Sequence, residues 1–141
     1  MSIEENKSLP RRSYEEIYNQ GNLDVADDIY DENFVIHMSP SDLKGTKSIK
    51  EYALMLRNAF PDLKFKIEDQ IAEGDKVATR WVVIGTHKGE YMGVAATGKF
   101  VSNTGISLHR IIDGKMVESW VSSDNLGVMQ KLGAVSLPRQ K

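Results

Sequence analysis

"LKFKIEDQIAEGDKVATRWVVIGTH", Leu63 to His87, decides the fold. Apolar and polar residues alternate along it, break at Gly74-Asp75, and alternate again. A period of two sends successive side chains to opposite faces of a strand, and a short glycine-containing break between two such runs is a hairpin. Lys99 to Ser123, "KFVSNTGISLHRIIDGKMVESWVSS", repeats the pattern around Asp113-Gly114, a dipeptide suited to two-residue hairpin turns. The second half of the chain is therefore expected to be a strand meander.

Upstream of Pro61 the period is helical. "SYEEIYNQG" carries Tyr14, Ile17 and Tyr18 at helical spacing and stops at Gly21. "NLDVADDIYD" offers Asn22 as an N-cap and a stripe of Leu23, Ala26, Ile29 and Tyr30. "NFVIHMS" reads as a short strand. "TKSIKEYALMLRNAFPD" begins at a Thr46 cap, lines up Ile49, Tyr52, Ala53 and Leu56, and ends near Pro61. A last helix is expected over "NLGVMQKLG". Helices followed by a meander give an α+β domain, a curved antiparallel sheet wrapped around N-terminal helices. Such a sheet forms a cone with one open end, suited to an apolar pocket. One domain is expected over residues 1–141, with its core at about 12–133 and short flexible tails.

Bulk properties exclude several classes. The 141 residues carry a net charge of −2, with Lys and Arg scattered among Asp and Glu, so neither nucleic acid nor a membrane surface is an expected partner. The absence of cysteine removes disulfides, zinc–thiolate sites and cysteine nucleophiles. No apolar run approaches the roughly 20 residues that span a bilayer. The charged start, "MSIEENKSLPRR", lacks a hydrophobic signal segment, so a cytoplasmic location is expected.

"GVAATGKF", Gly93 to Phe100, has the glycine–lysine spacing of a phosphate loop. Such a loop needs Ser or Thr after the lysine, and a helix to follow. Phe100 and a strand-forming run stand there instead, so the stretch is read as a connection between strands.

The residues able to carry chemistry are few. His37, His87 and His109 fall on three separate segments without short-range ligand spacing, so no metal is expected. Period two puts Asn103, Gly105, Ser107, His109 and Ile111 on one face of their strand. It puts Glu118, Trp120, Ser122 and Asp124 on one face of the next. If Trp120 and Asp124 point into the cone with Ser107 and His109, the pocket holds an indole, a carboxylate and an imidazole. A carboxylate kept from water has a raised pKa and can exchange a proton near neutrality; the imidazole can stabilise a developing enolate. The competing reading makes Asp124 the cap of the last helix, unless Asn125 takes that place. For Trp81 and Trp120 core packing is favoured over a substrate wall, and for Arg80 an ion pair on the sheet over an anion clamp.

Five phrases together resemble the SnoaL-like polyketide cyclase family: "AFPDLKFKIED" (Ala59–Asp69), "AEGDKVATRW" (Ala72–Trp81), "GTHKGEYMG…TGK" (Gly85–Lys99), "HRIIDGKMVESW" (His109–Trp120) and "DNLGVMQKLG" (Asp124–Gly133). The resemblance covers about residues 12 to 133 and implies the cone fold of the nuclear transport factor 2-like superfamily. It implies an intramolecular aldol condensation without cofactor or metal, with one Asp as acid/base. Asp124 looks like that residue and His109 like the family's pocket histidine. His37, Trp81, Ser107 and Trp120 are expected to bind substrate. The expected partners are a small hydrophobic molecule in the cone and a second copy of the chain, as homodimer or homotetramer through the sheet. Ser107 and Ala96 depart from the larger hydrogen-bonding residue and the Pro expected in the family. Two other functions fit the same cone: epoxide hydrolysis, for which Arg80 and Asp124 would supply part of an Asp–Arg–Asp set, and ligand binding without catalysis.

Overall fold

A computed structural model of the protein describes residues 2–39 and 41–136. The expected C-terminal tail from 137 onward lies outside them. The chain opens with helix α1 (Ile3–Arg12), where a flexible tail is expected. Ser2 caps it, accepting from the Glu5 N–H at 3.0 Å, with Glu4 and Glu5 in the first turn and Arg11 and Arg12 in the last. Its polar composition hides the helix from an apolar-stripe reading, yet Asn6, Leu9 and Pro10 are buried. Pro10 offers no N–H to the helical ladder, and a π-helical stretch, Ser13–Asn19, follows at once. The wider turn buries Ser13, Tyr14, Ile17 and Tyr18 together.

Helix α2 (Val25–Ile29), strands β1 (Tyr30–His37) and β2 (Leu43–Lys44), and helix α3 (Gly45–Ala59) come next. Helix α3 starts just ahead of the expected Thr46 cap and ends before Pro61. The meander is β3 (Lys64–Glu73), β4 (Lys76–Thr86), β5 (Phe100–Ile112) and β6 (Lys115–Ser123), closed by helix α4 (Asn125–Lys131). Both hairpins form where the sequence places them, and Asp113 and Gly114 share positive φ, as a type I′ turn requires. One sheet of order β2-β1-β6-β5-β4-β3 results. All pairs are antiparallel except β1 with β6, a departure from the all-antiparallel expectation. The long excursion through α3 and the meander is what lets these two strands run the same way.

The helices fill the concave side. Ile17, Ile29, Phe34, Ile49 and Met116 have essentially no exposed surface, and burying each stabilises the fold by roughly 1.5–3 kcal/mol. The connection between β4 and β5 is pinned by His87. Its N–H donates to the Lys99 carbonyl at 2.8 Å, and its Nδ1 accepts from the Thr97 N–H at 3.2 Å. Lys99 Nζ donates to the Lys131 carbonyl in the last turn of α4. The glycine–lysine stretch thus serves as a strand connection that supports a helix end.

One irregularity positions the site. Ile111 pairs with Met116 and Arg110 with Glu118, leaving Val117 as an extra residue. Such a bulge shifts the phase of everything after it. Met116 points inward before the bulge. After it the inward residues are Ser119, Val121 and Ser123, and Trp120 turns outward.

Candidate active site

The concave face and the helices enclose a cavity of about 100 Å³, on the measure by which one water needs roughly 10–15 Å³. Its helical side and the adjoining strands are aromatic. Tyr14 and Tyr18 come from the π-helical stretch, Tyr52 from α3, Phe65 from β3 and Trp81 from β4. Their rings pack with centroids 5.0 Å apart for Tyr14–Phe65, 5.3 Å for Tyr18–Phe65 and 5.2 Å for Phe65–Trp81. Burial pushes the Tyr14, Tyr18 and Tyr52 hydroxyls well above the usual phenol range, and Tyr30 up to about 12, so all four stay neutral.

The polar groups gather on the opposite wall. Asn103, Ser107 and His109 alternate along β5, and Ser123 and Asn125 stand at the β6–α4 junction. Ser107 Oγ accepts from Tyr14 Oη at 2.8 Å and from Trp81 Nε1 at 3.0 Å. Gly105 makes the second contact possible: a side chain there would overlap the Trp81 ring, which lies across β5. His109 Nδ1 is 2.7 Å from Ser119 Oγ, while its buried Nε2 has no partner among the described residues. Burial lowers the His109 pKa to about 4, so the ring is neutral at pH 7. Among the described lining residues there is no carboxylate, ammonium or guanidinium.

Three of the six expected site residues, Trp81, Ser107 and His109, therefore meet in the cavity. The other three lie on the convex face, and the inward placement expected of them is corrected. Asp124 is exposed and caps α4, its Oδ1 accepting from the Gly127 N–H at 3.0 Å. Trp120 is 38% exposed and stacks on His37, with centroids 5.5 Å apart. His37 places Nδ1 2.9 Å from Asp42 and Nε2 2.8 Å from Glu118. The physical reason is the Val117 bulge: Met116 and Trp120 have the same parity, and only the extra residue between them separates their faces. Sequence reading also missed Ser119, Ser123 and Asn125. An alternation of small polar residues beside a tryptophan gives no apolar signal to follow.

Arg80 pairs with Asp69 at 3.0 Å on the convex face, away from the cavity, and Asp124 caps α4 on that same face. The Asp–Arg–Asp arrangement of epoxide hydrolysis is not assembled among the described residues. No group of three or more His, Asp or Glu side chains able to hold a metal ion occurs among the described residues. No helix among them is long and apolar enough to cross a membrane.

Comparison with known proteins agrees with this architecture. Residues 8–132 match the model of the SnoaL-like polyketide cyclase family. Aklanonic acid methyl ester cyclase AcmA of Streptomyces galilaeus is 32% identical over 125 residues, covering 84% of both chains. Among solved structures, the chain resembles AclR of Streptomyces galilaeus, described as a candidate hydroxylase, with a TM-score of 0.85, 28% identity and coverage of 99% and 87%. It also resembles IdmH of Streptomyces antibioticus, a candidate polyketide cyclase, with a TM-score of 0.78, 30% identity and coverage of 91% and 98%. The chain belongs to the SnoaL-like polyketide cyclase family.

Proposed function

We propose that this family member catalyses intramolecular aldol ring closure, or a related isomerisation, of a small hydrophobic carbonyl compound held in the cone, with no cofactor taking part. The single observation that supports this most is the unpartnered Nε2 of His109 beside Ser107 on the one polar wall of an aromatic cavity. The aldol step moves electrons from an enol carbon to a second carbonyl carbon. One C–C bond forms, and the attacked oxygen becomes an alkoxide. A neutral imidazole and a hydroxyl on the wall of a largely aromatic and aliphatic cavity stabilise that charge. The proton leaving the enol oxygen ends on the new alcohol, so no base is consumed. An acid/base role for Asp124 is not carried forward, because its carboxylate caps α4 outside the cone.

The test is turnover of aklanonic acid methyl ester, the compound named for the relatives, by wild type and two variants. His109→Ala is expected to lower kcat by about 10²–10³-fold, the scale for losing one donor to a developing oxyanion. Asp124→Asn keeps a capping side chain and is expected to stay within a few-fold of wild type. A dead Asp124→Asn enzyme with an intact fold, or an unimpaired His109→Ala enzyme, would overturn this site assignment. An inactive wild type leaves ligand binding without catalysis as the better reading.

Two coarser properties belong to the same proposal. Ile71, Ala78, Leu108 and Trp120 form one row across four strands of the convex face, with Ile106 on the next row. Ile71, Ile106 and Trp120 are exposed there, which suits pairing with a second copy. Sedimentation as a monomer at micromolar concentration would end that idea. A cytoplasmic location belongs to the same reading, checked by fractionation of the source cells.

A further inference from the structure

Three buried hydroxyl and imidazole groups on β5 and β6 leave their hydrogens little choice. Ser107 has two lone pairs, and both are taken, one by the Tyr14 hydroxyl and one by the Trp81 N–H. Those are its only side-chain hydrogen bonds among the described residues, so its own proton is unspent. Ser119 is fully buried, and its single partner is His109 Nδ1. If Nδ1 carried the ring proton, the Ser119 hydroxyl hydrogen would have no acceptor, and Nε2 would be a second orphan. If Ser119 donates to Nδ1 instead, Nε2 carries the proton and only that one N–H is unpartnered. Buried polar groups avoid being left unmatched, so the second arrangement prevails.

We infer that Ser107 and His109 are two neutral hydrogen-bond donors fixed toward the cavity, and that Tyr14, Trp81 and Ser119 are the positioning residues that fix them. Among the described lining residues the site then has donors and no charged base, and it takes neutral ligands that present carbonyl oxygens along one edge. The depressed pKa of His109 agrees, since the ring does not turn into an imidazolium near neutrality. This rests on the proposed reaction for what the donors do, but not for their existence.

Long-range ¹H–¹⁵N correlation of the labelled wild-type protein at pH 7 reads the tautomer without any substrate. Protonated Nε2 and bare Nδ1 are expected for His109, and Ser119→Ala is expected to move the Nδ1 resonance toward that of a free imine-type nitrogen. A protonated Nδ1 in wild type overturns the assignment of His109 whatever the variant does. The infrared stretch of carbonyl-labelled acetophenone bound in the cone reads the donors. Its frequency is expected below that in an apolar solvent. It should rise in Ser107→Ala, rise less in Tyr14→Phe, and rise no further when Tyr14→Phe is added to Ser107→Ala. An unshifted stretch, or no saturable binding of acetophenone, overturns the donor pair. An inactive enzyme with the expected tautomer sinks the proposed reaction alone; an active one with Nδ1 protonated sinks this inference alone.

Discussion

The two faces of the sheet carry the same residue type to opposite ends of its range, His109 from β5 and His37 from β1. On the concave face His109 is buried, meets one hydroxyl, and has its pKa lowered to about 4 by loss of water. On the convex face His37 remains about one-third exposed and lies between two carboxylates, and its pKa is raised, by the Glu118 hydrogen bond first and the Asp42 bond second. Desolvation wins where no opposite charge is near; pairing wins where water is still present. The difference extends past the histidines. The convex face satisfies its charges with the pairs Arg80–Asp69 and Arg110–Glu118. The cavity holds no formal charge among the described lining residues and leaves a donor open. A face that satisfies its own groups is scaffold or interface, and a face that leaves donors over is prepared for a ligand.

The sharpest break of this contrast is to offer the cavity a charge. A polyketide methyl ester and its free acid differ only in whether a carboxylate must be buried. With no cation among the described lining residues, burying it costs several kcal/mol even after relaxation. The free acid is expected to show a kcat/KM more than about 10³-fold below that of the ester at pH 7. Equal values would mean that the acid group stays at the mouth in water, and that the uncharged lining does not select.

The next largest effect is on stability against pH. His109 has a folded pKa of about 4, below its unfolded value of 6.5. Between those values the unfolded chain takes up a proton that the folded chain refuses, so the contribution of His109 falls as pH falls from about 6.5 to about 4 and changes no further below. The full loss is about 3 kcal/mol, from 1.36 kcal/mol per pKa unit. Chemical denaturation across that range checks it. His109→Gln is expected to remove most of the slope, and an unchanged slope would show that other groups cause it.

These contrasts were legible in the sequence only as far as period and turn chemistry reach. The hairpins at Gly74-Asp75 and Asp113-Gly114, the α3 stripe and the inward set Ser107 and His109 follow from alternation that nothing interrupts. The inner face of β6 does not, because one unpaired residue, Val117, reverses it, and a bulge leaves no mark in a run such as "KMVESWVSS". Trp120 reinforced the error, since a large apolar residue in a strand is ordinarily taken to face the core. Asp124 stood between two physical roles at a strand–helix junction, and only the phase of β6 decides for the cap. Helix α1 was hidden for a different reason: ten mostly polar residues gain their order from a cap and a few buried contacts, not from a stripe.

The smallest effect tests the convex half of the comparison. Both nitrogens of His37 face carboxylates, and only the protonated ring donates from both. Its folded pKa is raised above the unfolded 6.5, so the pair's contribution is fully present below about pH 6.5 and is lost as pH rises through the folded value. The loss is small for two reasons. The ring is open to solvent, where ion pairs are screened, and Glu118 keeps a second partner in Arg110 at 3.2 Å when the ring turns neutral. The difference in Tm between wild type and His37→Gln is expected to favour wild type at pH 6 by no more than about 4 °C. It should shrink toward pH 8.5, and shrink again in 1 M salt, where charges are screened within about 3 Å. The opposite sign, wild type gaining on the variant as pH rises, would mean that His37 is held neutral like His109, and the two faces would no longer differ in the way they treat an imidazole.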